Sequence, residues 1–284
     1  RAVVLSRLTL REANLEHPDA IISGTGLGCI QNTERFLHAI RQEGEECLQP
    51  TAFMQSTHNI ISSTIAIDLK CHAYNTTYVH RGTSFENALL DTLLRLRSGS
   101  IRNALLGGFD ELTDDYLQFF RRTGRWQFTP DGFAGEAAVS FLIDGQQDAH
   151  TLCRLDDLRL LYRPTLDTLR HALHDLLTAN SCSLGDIDAV LIGLNTNPDN
   201  DTVYLDTAAQ LYPATPLIRY KHLFGESFSA SALAHYVAAT CLRRGHIPSH
   251  LRLDSAAASL PARRILIHNH SMNKTHTLTL LSAC

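Results

Sequence analysis

The sequence carries no surplus of basic charge. Its 25 Lys and Arg face 29 Asp and Glu, a formal net charge of −4 with histidine neutral. Such a chain has little with which to neutralise a phosphate backbone, which argues against a dedicated nucleic-acid binder. No apolar run approaches the ~20 residues a helix needs to cross a bilayer, and no signal-peptide pattern opens the sequence. The chain begins at Arg1 rather than Met, so residues upstream are expected. Seven cysteines (Cys29, Cys47, Cys71, Cys153, Cys182, Cys241 and Cys284) form no Cys-x-x-Cys pair. A zinc ribbon or thioredoxin-like centre is therefore unsupported. Their odd number predicts reduced, mostly buried thiols and a cytoplasmic setting. Low-complexity linkers and short-period repeats are lacking too. What is present is 284 residues, 44 % apolar and 19 % charged. That is too hydrophobic for disorder and long enough for a sizeable core.

Along the chain, Val4, Leu8 and Ala13 (beside Leu15) among arginines predict an amphipathic helix over 1–14. An apolar strand over 19–23 runs into Gly24-Thr-Gly-Leu-Gly28. These glycines miss the Gly-x-Gly-x-x-Gly fingerprint and no Walker Lys-Ser/Thr follows, so a tight structural turn is predicted. Helices are expected at 34–42, capped by Asn32 or Thr33, and at 56–70. A β-branched strand follows at 75–80, then a turn at 81–84 and a leucine-rich helix at 85–98. Buried strands are expected at 103–108 and 133–143. A second series starts near 152: strand 152–162, helix 165–179, strand 189–194, helices 201–211 and 229–243, and a segment from 264 into a closing strand at 277–281. Alternating strands and helices are the pattern of parallel α/β units. His268, His270 and His276 have no Cys or carboxylate ligand near them in sequence, so no metal is expected. They read as strand-end histidines on a polar face.

Segment 75–111 combines a β-branched strand, a small-residue turn, a leucine-rich helix and Asn103-Ala-Leu-Leu-Gly-Gly-Phe-Asp-Glu-Leu112. It resembles the nucleophile region of the β-ketoacyl synthases of the thiolase superfamily. Phe128-Thr-Pro-Asp-Gly-Phe-Ala-Gly-Glu136, Asn197-Pro-Asp-Asn-Asp201 and Lys221-His-Leu-Phe-Gly225 resemble later motifs of that family, and Gly24 to Gly28 its early glycine turn. The resemblance covers nearly the whole chain in order. It implies an α/β, thiolase-like fold: two similar βαβ-rich halves, 1–150 and 151–284, in alternating helix and sheet layers. The family's first strand would precede Arg1. The implied chemistry is decarboxylating Claisen condensation. A cysteine thiolate at a helix N-terminus takes an acyl group, two histidines support decarboxylation, and backbone N–H groups hold the thioester oxygen. Acyl groups would arrive on the phosphopantetheine arm of an acyl carrier protein, with no bound cofactor and no metal.

The same comparison exposes departures. The nucleophile position falls on Gly82, the first histidine position on Gly193 and the second on Glu226, while Lys221 is kept. No cysteine lies between Cys71 and Cys153, and the family's terminal glycine loop is replaced by Asn269-His-Ser-Met-Asn-Lys-Thr275. One reading is a catalytically degenerate subunit. It would pair with an active ketosynthase, as chain-length factors do, or with a second copy of itself. The other is an acyltransferase or thioester hydrolase rewired around Ser84 as nucleophile and His80 as base, with Glu226 near. A binding module of unrelated function is the third. Plainer roles exist for each residue: Ser84 as helix N-cap, His80 as a strand end, Glu226 as ion-pair partner of Lys221 or Arg219. Trp126, Phe119, Phe120, Phe128 and Phe133 read as core packing, or else as an acyl channel or interface. Arg121, Arg122 and Arg125 read as a solvated loop, or else as a dock for an acidic carrier protein.

Overall fold

The computed structural model describes residues 1–45, 48–254 and 256–284. The chain forms two units that exchange short segments. Unit 1 comprises 1–127, 134–146 and 227–229; unit 2 comprises 128–133, 147–226 and 230–284.

Unit 1 begins with α1 (Ala2–Glu12) and β1 (Ala20–Gly24). Helices α2 (Ile30–Glu43), α3 (Pro50–Ser56) and α4 (Ile60–Asp68) follow. Then come β2 (Tyr74–Tyr78), a 3-10 turn at Arg81–Thr83, α5 (Ser84–Arg97), β3 (Asn103–Asp110), α6 (Asp114–Arg122) and β4 (Ala137–Asp144). The sheet order is β2-β1-β3-β4, with only β4 antiparallel. Central β1 is buried along its whole length, as a parallel strand covered on both faces must be. Ile21, Leu105 and Phe109 pack against Leu10 of α1 and Ile65 of α4. Helix α5 also packs on β1 and β3, burying Phe85, Ala88, Leu89, Thr92 and Leu93, which share one face at helical spacing.

Unit 2 contains β5 (Arg154–Tyr162), α7 (Leu166–Ala179), β6 (Ala189–Ile192), α8 (Pro198–Leu211), β7 (Leu217–Arg219) and α9 (Lys221–Phe224). It closes with α10 (Ala230–Arg244), a small pair β8 (His246–Ile247) and β9 (Leu260–Pro261), β10 (Arg264–Ser271) and β11 (Thr275–Ser282). Its sheet runs β5-β11-β10-β6-β7, parallel from β10 to β7. Strand alternation divides the core. Val190, Ile192, Leu266, Leu278 and Leu280 face α7 and α8; Ala189, Leu191, Ile265, Ile267 and Leu281 face α10.

Several expectations need correction. Helix α3 lies where the sequence suggests no element, and α6 includes Arg121 and Arg122, which read as a loop. Thr113 caps α6 by accepting from the Tyr116 N–H. Helix α2 starts at Ile30, so Asn32 and Thr33 lie inside it rather than cap it. Thr83, not Ser84, is the N-cap of α5. The last segment is two paired strands, β10 and β11, joined by a tight turn. The cysteines are less buried than expected. Cys71 and Cys241 are buried, Cys29, Cys153 and Cys182 half-buried and Cys284 exposed, all as free thiols, while Cys47 lies outside the described residues.

Candidate functional site

In unit 1, the candidate residues gather where β1, β2 and α5 meet. Strand β1 ends in the glycine turn 24–28. A side chain at Gly24 would sit 2.5 Å from the Ser84 backbone, so glycine lets β1 touch the start of α5. Strand β2 leads through His80 into the 3-10 turn, where Arg81 takes a left-handed φ of 53° and Gly82 follows. Ser84 is completely buried. Its Oγ accepts from the His80 backbone N–H (2.8 Å) and shares its one proton between the carbonyls of Thr25 (2.9 Å) and Arg81 (2.7 Å). The serine thus ties strand end, glycine turn and helix together, and it meets His80 through the backbone.

Asp110, at the end of β3, organises the other side of that turn. Its buried carboxylate accepts from Thr25 Oγ1 (2.8 Å), the N–H groups of Gly26 (2.9 Å) and Leu27 (2.7 Å), and Ser229 Oγ. Burial pushes its carboxyl up while these four donors pull it back. Ser229 belongs to the strap 227–229 that unit 2 lends to unit 1. Phe228 of the strap packs on Gly26, Trp126 and Phe120. Phe120 and Trp126 are buried, whereas Phe119 and Phe133 are half-exposed and Phe128 is intermediate. Arg121 and Arg122, on the last turn of α6, and Arg125 are exposed.

In unit 2, the polar groups collect at the carboxyl ends of parallel β10, β6 and β7, the usual place for a site in such a sheet. Gly193 follows β6. A Cβ there would meet Tyr204 Oη at 2.6 Å and Lys221 Nζ at 3.2 Å. The room a side chain at 193 would need is thus taken by tyrosine and lysine. Lys221 and Glu226 are both buried, and Nζ donates to Glu226 Oε2 at 2.7 Å. The same oxygen accepts from Asn195 Nδ2. Asn200 Nδ2 reaches Asn195 Oδ1 (3.0 Å) and the Gly193 carbonyl (3.2 Å), and Asp201 accepts from the N–H groups of Asn195 and Thr196. Between Lys221 and Arg219, Glu226 therefore chooses Lys221.

The histidine expectation is overturned. His268, His270 and His276 are buried under α8, not on a polar face. The missed signal is period 2: Leu266, His268 and His270 continue one face of β10. No cluster of metal-ligating side chains occurs among the described residues. Tyr204 and Asn195 lie in no motif the sequence offers, while Asp110 and Asn200 lie in quoted motifs without a role assigned to them.

No protein-family model and no curated protein sequence matches the chain. Solved structures do. The ishigamide ketosynthase/chain length factor matches with TM-score 0.80 at 19 % identity, over 100 % of this chain and 81 % of that one. A ketosynthase in complex with its chain length factor from Xenorhabdus doucetiae gives 0.77 at 15 %, over 95 % and 75 %. A type II polyketide acyl carrier protein in complex with its ketosynthase gives 0.74 at 16 %, over 98 % and 81 %. The fold is the thiolase-like α/β fold of ketosynthases.

Proposed function

We propose that this chain is a ketosynthase-like subunit without condensing activity of its own. It acts as a chain-length-factor-like partner of an active ketosynthase in fatty-acid or polyketide-type elongation. What carries this reading is the turn at 81–83: the resemblance puts the nucleophile position on Gly82, and glycine forms no thioester. Unit 2 agrees. The resemblance puts the histidine positions on Gly193, whose room is filled, and on Glu226, a carboxylate tied to Lys221 that offers an enolate no proton. The two thiolase-like halves are taken as 1–150 and 151–284.

The partner's contact is proposed along β2. This strand is an edge of its sheet, without proline or charge to blunt it. Helices α4 and α5, which pack on β2, expose Ile67 (76 %) and Leu94 (56 %). An isologous joining of sheets across a two-fold axis would cover them. The solved complexes of ketosynthases with chain length factors support that partner, and the acyl carrier protein complex supports a phosphopantetheine-borne substrate. Arg121, Arg122 and Arg125 suit an acidic carrier protein. No described helix is long and apolar enough to cross a membrane; a cytoplasmic setting is proposed from the free thiols.

The test is co-expression with the ketosynthase encoded nearest to this chain, purified through a tag on this chain alone. A 1:1 complex that condenses acyl and malonyl carrier proteins, with this chain inert by itself, is expected. A lone chain that turns over a thioester, and loses this in Ser84→Ala, would establish the rewired enzyme with His80 as base instead.

A further inference from the structure

A layer of imidazoles closes one end of the unit 2 sheet. On the face of β10 and β11 turned to α7 and α8, leucines give way to His268, His270 and His276. Ring centroids lie 5.3 Å apart for His268 and His276 and 5.4 Å for His270 and His276.

Hydrogen-bond order assigns every proton. The Asn273 N–H donates to His270 Nδ1 (3.3 Å), so that nitrogen is bare and Nε2–H donates to the Asn200 carbonyl (3.1 Å). Tyr212 Oη lies 2.7 Å from His268 Nδ1 and has no other hydrogen-bond partner among the described residues. Its proton therefore goes to Nδ1. His268 Nε2–H then donates to His276 Nδ1 (3.0 Å), and His276 Nε2–H to Asn273 Oδ1 (3.0 Å). All three rings are neutral Nε2–H tautomers, each with its one lone pair in use. An added proton finds no vacant nitrogen. At His276 it would reverse the chain and strand the Tyr212 proton in the core. At His270 it would set N–H against the N–H of Asn273.

A cavity of about 450 Å³ between α7, α8 and the β10–β11 turn reaches His276. Asp199 and Asp206 of α8 line it, while α7 contributes only Leu166 and Leu169. Lys221, paired with Glu226, faces His270; Tyr204 of α8 and Tyr212, which caps its C-terminus, face the rings; Leu161 of β5 is registered with His276.

We propose that the imidazole layer is a proton-operated latch: neutral, it ties β10 and β11 to α8 through Asn200 and Tyr212, and a proton entering at His276 from the cavity releases that tie. Burial holds His268 well below the ordinary imidazole value and, with neighbouring charge, lowers His270 to about 3; burial lowers His276 to about 4. The native state then binds fewer protons than the unfolded chain. The latch's contribution is complete above about pH 6.5 and falls as pH drops towards those values. Helix α8 carries Asn200 and Asp201, so its release would also loosen the loop behind Gly193. The latch does not depend on the proposed partner role.

The test uses the full chain with 15N-labelled histidine. At pH 7.5, NMR is expected to show three Nε2–H tautomers. On acidification, hydrogen exchange is expected to show α8 losing protection before α10. Tyr212→Phe removes the first bond of the neutral chain and the group that would be stranded, so the α8 midpoint should rise by up to about one pH unit, tenfold in proton affinity. Asn273→Gly keeps the left-handed turn and removes only the terminal acceptor. A protonated His276 would use that acceptor more strongly than a neutral one, so its loss should lower the midpoint, a shift readable even if Tyr212→Phe fails to fold. A bare Nε2 on His268 or His276, independent titration near pH 6.5, or loss of α8 and α10 at one pH in wild type and Asn273→Gly alike would overturn the latch.

Discussion

The two units hold their candidate sites by opposite means. In unit 1 the turn around Gly82 is held by a neutral serine hydroxyl and backbone groups, and the glycine turn it touches by one carboxylate, Asp110. In unit 2 the loop around Gly193 closes on a buried ion pair. One corner stays in place through groups whose loss is modest. The other depends on two charges that are tolerable only together.

The comparison breaks hardest at Glu226. Glu226→Ala leaves Lys221 charged, buried and unpaired, and should cost about 3–5 kcal/mol in urea unfolding. Lys221→Met combined with Glu226→Leu should instead be close to neutral, because both desolvation costs vanish with the attraction. If the double change is as damaging as the single one, the pair does more than neutralise itself. Next comes Gly193→Ala, expected to cost about 1–3 kcal/mol through overpacking against Tyr204 Oη, and to be partly relieved by Tyr204→Phe. In unit 1, Asp110→Asn should cost about 1–3 kcal/mol, since one of its paired donors is left facing an amide N–H. The smallest effect is expected for Ser84→Ala: about 1 kcal/mol of stability and no change in condensation by the complex. A larger loss of activity than of stability there would turn the neutral corner into a working one.

Much of the fold was legible because burial writes itself into period and run length. Ala20 to Gly24 is a short apolar run and became a central parallel strand; Phe85 to Leu93 repeats at helical spacing and became α5. Helix α3 was not legible, since none of its side chains is buried and so no periodic stripe was needed. Helix α6 was hidden because its phenylalanines and arginines read equally well as an aromatic, basic loop. The choice of Gly82, Gly193 and Glu226 rests on the resemblance to ketosynthase motifs. What surrounds them did not, because Tyr204 lies eleven residues beyond Gly193 in sequence and meets it only through the return of α8.

The strap at 227–229 also sets a rule for dissecting the chain. Unit 2 runs up to Glu226, lends Ser227, Phe228 and Ser229 to unit 1, and resumes at Ala230 with α10, while 128–133 passes the other way. A cut near 150 would therefore deprive Asp110 of a donor and Trp126 of a neighbour, and leave Thr196 without the backbone contact from Thr129. Halving the gene would not halve the protein: each fragment would carry a short loan belonging to the other, so the smallest heritable piece of this architecture is the pair.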